Sequence, residues 1–137
     1  MNLNLIGLVS ALAAFFGIWF GHVAVRKIES ISATIWLPGT LFTLFGIALE
    51  WLSLNTSHFL LSAPLGIIGF TLLWDALEFK RQQNRIKKGH APANPENPRH
   101  AQFLREHASA TPLDLLKRDP LGRPVSSSEA IKLITDY

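Results

Sequence analysis

The chain has 137 residues, of which 48% are hydrophobic, with no cysteine and a formal net charge of +3. That length is one domain's worth, and the lack of cysteine excludes a disulfide framework, a thiolate nucleophile and a cysteine-ligated metal centre. Charge is segregated: up to residue 79 the formal charges are Arg26, Lys27, Glu29, Glu50, Asp75 and Glu78, and all others lie in the tail, as in a membrane portion with a soluble extension.

Residues 3 to 25 carry no charge, and as a helix they extend about 34 Å, enough to cross a bilayer core. No basic region precedes this long run, so it reads as a span and not as a signal peptide. RKIES, 26 to 30, is expected to be the first connection. A second span is expected from Ser32 to Leu54, with Trp36 and Trp51 near its ends as interfacial anchors, and SLNTS joins it to a third from His58 to Phe79, with Trp74 near its inner end. Pro38 and Pro64 fall early in their spans, where a missing amide costs little or gives a modest kink.

RKIES has two basic residues, Lys80 to Lys88 has five, and SLNTS has none. The positive-inside rule then puts the N-terminus outside and the C-terminus in the cytoplasm. The expected fold class is therefore all-α, an integral membrane three-helix bundle of antiparallel neighbours with a short helical cytoplasmic tail. Because the basic residues flank apolar spans, they are read as topology determinants, and no nucleic-acid partner is expected.

Between helices in lipid, close backbone approach through small residues must supply much of the association. In the first span Gly7, Ser10, Ala14, Gly17, Gly21 and Ala24 recur at alternating spacings of three and four, which places them on one face. The second span has Gly39, Thr43, Gly46, Glu50 and Ser53, and the third has Ser62, Gly66, Gly69 and Ala76. These faces, with Gly17, Gly21, Gly46, Gly66 and Gly69 as packing residues, predict an internal seam or a homo-oligomeric contact.

Glu50 sits on the second stripe at membrane depth, where a carboxylate must face protein or water, be paired or be protonated. It reads either as an ion or proton site or as a boundary residue hydrogen-bonded near Ser53. His22, Asp75 and Glu78 come to one level at the cytoplasmic ends of the first and third spans. They form a candidate cluster for a quinone head, a lipid phosphate or a partner protein, against an interfacial charge network that sets helix depth. His22 and His58 lie at opposite ends of their spans, so they are not expected to share a haem within one chain. No nucleophile elbow, phosphate loop or HExxH pair occurs. No catalytic residue, metal site or cofactor is expected.

The third helix is expected to continue to about Lys88 and stop at Gly89, with Arg81, Arg85 and Lys88 facing anionic headgroups at about 1 kcal/mol each. HAPANPENPRH reads as an extended spacer because prolines disfavour helix before them. The organisation is thus 1–88, bundle with helix extension; 89–100, Pro-rich spacer; and 101–137, tail. In the tail, helices are expected over Ala101–His107, over Pro112–Arg118 after Thr111, and over Ser127–Thr135, opened by a capping box of Ser126 and Glu129. Leu113, Leu115, Leu116, Ile131, Leu133 and Ile134 are too few for an independent core, which favours docking on a partner.

Trp74, Glu78, Gln82, Arg85, Lys88, Gly89, Pro92, Asn94 and Pro95 occur in one ungapped register. With His22 after Gly21, Trp36, and the Leu65, Gly66, Gly69 pattern, residues 5 to 95 resemble domain-of-unknown-function family 4491, small prokaryotic three-helix membrane proteins. The resemblance implies a three-span protein of the prokaryotic inner membrane and brings no reaction, cofactor or catalytic residue. Asp75 and His90 depart from the residue types the resemblance would place there. The resulting expectation is a non-enzymatic accessory subunit that anchors or stabilises a membrane complex. Its partners would be the bilayer and a protein partner or a second copy. The alternative is an oligomeric transport or quinone/ion-linked module.

Overall fold

The computed structural model describes residues 4–114 and 126–135. The described residues are all-α: α1 Leu5–Ile31, α2 Trp36–Asn55, α3 Phe59–Lys87, α4 Pro98–Glu106 and α5 Ser127–Thr135. The first three are long and apolar enough to cross a membrane. Asn4 opens α1 by accepting the Gly7 amide at 3.0 Å, an ordinary N-cap.

Two boundaries differ from the sequence reading. RKIES is not a connection but the last turns of α1, and the chain turns over Ser32 to Ile35 instead. The stretch contains no glycine or proline to stop the helix, and the tail supplies partners for its terminal carbonyls, as described below. α2 accordingly starts at Trp36, which leaves Pro38 in its first turn, where no intrahelical amide is required. α3 runs to Lys87 as expected, and Gly89 follows at φ +72°. A Cβ at Gly89 would also collide with the Ser109 carbonyl, so glycine is required there by both conformation and space.

α3 is the central helix, with α1 and α2 both packed along it. Only 11% of each span's apolar window is buried, so the helices are held by close approach along narrow seams and not by a sealed apolar core. On the α2 side, the α-carbon of Gly46 lies against Leu73 and the Gly69 carbonyl, and Gly69 in turn abuts the Glu50 amide and the Gly46 carbonyl. On the α1 side, Gly17 faces Thr71 and Gly21 faces Asp75. The small-residue faces are therefore an internal seam. Phe15, Phe20, Phe45, Phe59 and Phe70 point outward and are exposed.

The Ser53 hydroxyl donates to the Ser62 carbonyl at 2.7 Å, joining α2 to α3. Ser53→Ala is expected to lower stability by about 0.6 kcal/mol, the usual value of an interhelical hydrogen bond in a membrane protein. Unfolding of the purified protein in detergent measures this.

The buried apolar cluster lies beyond the spans: Ile86 of α3, Ala93 of the following segment and Phe103 of α4, flanked by Ala91 and Leu104. Phe42 and Phe79 meet edge to face just inside it, with ring centroids 5.2 Å apart. Residues 89–97 are thus not a free spacer; they fold back on the ends of α1 and α3. α4 starts at Pro98, three residues before the expected start, because Asn97 caps it by accepting the Arg99 amide at 3.0 Å and Pro98 occupies the first turn. α5 occupies the expected range. Of the helix expected over Pro112–Arg118, residues 112–114 are non-helical and 115–118 lie outside the described residues.

Candidate functional site

A helix leaves its last four carbonyls without intrahelical donors, and at the end of α1 those of Glu29 and Ser30, with that of the cap residue Ser32, are met by residues some 65 positions downstream. The Asn94 side-chain amide donates to the Ser30 carbonyl at 3.1 Å, and that of Asn97 donates to the Ser30 and Ser32 carbonyls at 2.9 and 3.0 Å. Arg99 donates to the Glu29 carbonyl at 2.6 Å and to the Ser32 carbonyl at 3.2 Å. A guanidinium at this position also complements the negative end of the α1 dipole. Asn97 therefore joins two helices, closing the C-terminus of α1 with its amide group and opening α4 with its carbonyl oxygen.

The same clamp holds a buried ion pair. Glu29 is fully buried, and its Oε1 accepts from Arg99 Nη1 at 2.8 Å and from His100 Nε2 at 3.1 Å. His100 Nδ1 accepts the Asn94 amide at 2.9 Å, so the ring hydrogen sits on Nε2 and points at the carboxylate. The His100 ring stacks on Phe103, with centroids 5.8 Å apart, and Lys87 and Arg99 lie over the Phe103 ring at 4.6 and 5.6 Å. The Ser109 hydroxyl donates to the Lys87 carbonyl, and the Ala93 amide to the Thr111 carbonyl, each at 2.8 Å. The segment after α4 is thereby tied to α3.

Glu78, from the expected cluster, is buried and has both oxygens bound: Oε1 by Arg81 at 2.8 Å and Oε2 by Arg85 at 2.7 Å. Arg85 also donates to Gln82 Oε1 at 3.0 Å, and Arg81 lies over the Trp74 ring at 4.6 Å. The residues Trp74, Glu78, Gln82 and Arg85, which carried the resemblance, form one connected strip on α3. Arg81 and Arg85, expected to face headgroups, are exposed but tied to Glu78; Lys88 is exposed at the helix end.

Asp75 does not join this network. It is buried against Gly21, and its Oδ2 has no hydrogen-bond partner among the described residues. His22 is exposed and within electrostatic reach of Asp75, without a hydrogen bond between them. The structure thus brings His22 and Asp75 near each other and assigns Glu78 to the arginines. Glu50 lies between α2 and α3, its carboxylate over Gly66 and Gly69. Ser53 donates to Ser62 and not to Glu50. His58 borders Asn4 and Leu5 at the opposite end of the helices from His22.

Glu29, Asn97, Arg99 and His100 were not singled out by their sequence context. The available signal was Asn97-Pro98, an N-cap followed by a first-turn proline, which the repeated Asn-Pro pattern made read as part of an extended spacer.

These features define a class: a small all-α protein whose three apolar helices can span a membrane, closed at one end by a polar clamp. The chain belongs to the family described as Domain of unknown function (DUF4491), whose model matches residues 4–97, which takes in Asn94 and Asn97 of the clamp. No curated protein and no solved structure matches the chain.

Proposed function

We propose that the protein is a non-enzymatic accessory subunit of a complex in the inner membrane of a prokaryote, with the clamped end in the cytoplasm. The positive-inside rule supports that orientation, since Arg26, Lys27 and the basic residues of 80 to 88 all lie at the clamped end. One observation carries the role. The buried charges Glu29 and Glu78 are engaged in bonds that stiffen the polar end, whereas large apolar faces of α1, α2 and α3 remain uncovered. A rigid end and uncovered apolar sides suit a scaffold that lipid and neighbouring helices surround.

The mass and composition of the complex extracted in mild detergent test this. Removing residues 115–137 is expected to weaken co-purification of the partner while leaving the clamp intact; a fully associated truncated protein would sink the tail's role. Ending the chain at Pro98 is a different experiment, because it removes Arg99 and His100 and opens the clamp.

The alternative, an oligomeric transport or quinone/ion-linked module, draws on Asp75, whose buried oxygen lacks a hydrogen-bond partner among the described residues. It expects cation or proton flux into proteoliposomes that Asp75→Asn abolishes without reducing insertion.

A further inference from the structure

A groove of about 700 Å³ opens at the clamped end between the last turns of α1 and α3. Val23, Arg26 and Lys27 line it from α1, Arg85 and Ile86 from α3, and His90 from the turn that closes it. Its lining mixes the cations Arg26, Lys27 and Arg85 with apolar Val23, Ile86 and Leu113.

Cations outnumber acids along the groove, Arg26, Lys27 and Arg85 against Glu29 and Asp114. Arg26 and Lys27 are exposed, and the ion pairs among the described residues involve Arg81, Arg85 and Arg99 instead. The third cation, Arg85, is held in place by Glu78 and Gln82 yet keeps 45% of its side chain exposed. Glu29 and Asp114 also border the groove; Glu29 is neutralised by Arg99. Adjacent exposed cations outside these ion pairs, beside a preoriented guanidinium and an imidazole, are a donor set that a phosphate group takes.

The exposed apolar surface that meets the groove at Val23 favours a phosphate that carries chains. Phe16, Trp19 and Val23 follow one another at spacings of three and four on α1 and are all exposed, so a continuous apolar track leads from the groove along the helix. We propose that the groove binds the phosphate of an anionic glycerophospholipid, with its acyl chains lying along that track. This goes beyond the accessory role and rests on the clamped end lying at a membrane surface. It differs from diffuse attraction to headgroups because it names one site and excludes Lys80 and Lys88, which are exposed outside the groove.

The test uses the full chain in mild detergent, titrated with phosphatidylglycerol, phosphatidylcholine or glycerol 3-phosphate and read by native mass spectrometry. Phosphatidylglycerol is expected to bind more tightly than phosphatidylcholine. Arg26→Gln with Lys27→Gln should weaken it about tenfold or more, given the value of two basic residues at a membrane surface. Lys80→Gln with Lys88→Gln removes the same charge outside the groove and should have little effect. Equal losses from the two double variants, or no preference over phosphatidylcholine, would overturn the proposal. Binding of glycerol 3-phosphate as tight as that of the lipid, lost in Arg26→Gln with Lys27→Gln, would keep the phosphate site but overturn the lipid as its occupant. The substituted side chains are exposed, so the fold should persist, and helical content checks this. A chain that fails to fractionate with membranes would count instead against the spanning arrangement.

Discussion

Arg99→Ala is expected to open the clamped end and to cost about 3 to 5 kcal/mol, the range for removing one partner of a buried ion pair. Glu29 is fully buried and Arg99 only 12% exposed on its side chain, so solvent cannot replace the lost guanidinium as it does at a surface pair. The substitution also strips donors from the Glu29 and Ser32 carbonyls. The visible result should be new protease cleavage between residues 88 and 98 in detergent, with a lowered unfolding midpoint. In a Glu29→Gln background the same substitution should cost less, because no buried charge is then stranded. An unchanged cleavage pattern in Arg99→Ala would remove the clamp from the account. Asn97→Ala should fall lower on the same scale, at about 1 to 2 kcal/mol, since it loses a helix cap and neutral hydrogen bonds but no charge.

Gly46→Leu is expected to separate α2 from α3. Even a single added carbon at Gly46 would lie 2.8 Å from Leu73 Cγ and 2.9 Å from the Gly69 carbonyl oxygen. The second of these is backbone and cannot turn aside, so Gly46→Ala alone should cost about 1 to 3 kcal/mol as overpacking, and Gly46→Leu more. Gly39→Ala is the matched control on the same helix face: its nearest neighbour, the Ala76 carbonyl oxygen, would be at 3.7 Å, an ordinary contact. Because the chain has no cysteine, Ser53→Cys with Ser62→Cys gives a clean crosslinking readout of the α2–α3 seam. Crosslinking should persist with Gly39→Ala and fall with Gly46→Leu. Equal yields in both would show that close backbone approach at Gly46 does not hold the seam.

Those two sites differ in how far they could be read from the sequence. The spans were legible because lipid imposes a length and an apolar composition that few charges interrupt, and the seams because alternating three- and four-residue spacing is a property of one helix at a time. Gly46 and Gly69 were therefore identifiable as packing residues before their contacts were known. The clamp was not legible in this way. Glu29 read as an ordinary charge in a connection, and Arg99 as part of a spacer. Their pairing depends on α3 bringing the two segments together, which no local period encodes. Local chemistry also pointed the wrong way at Asn94 and Asn97, since Asn-Pro is a turn signal when the asparagine side chain has only its own backbone to bind. The Glu78 cluster lay between these extremes: spacings of three and seven put Arg81 and Arg85 within reach of it along one helix, whereas the burial of Asp75 against Gly21 required the neighbouring helix.

The Arg99–Glu29 pair spans 70 residues of chain, and that separation sets an order of events during synthesis. At about 5 to 20 residues per second, the ribosome needs roughly 4 to 14 s to deliver Arg99 after Glu29. Throughout that interval the first helix carries an acid and unsatisfied carbonyls at its end with no internal partner, while the second and third helices are still being delivered. The clamp can therefore close only after all three long helices have been made and α1 lies beside α3. A chain in which α1 and α3 fail to meet would leave Glu29 and the end carbonyls of α1 without the clamp's donors.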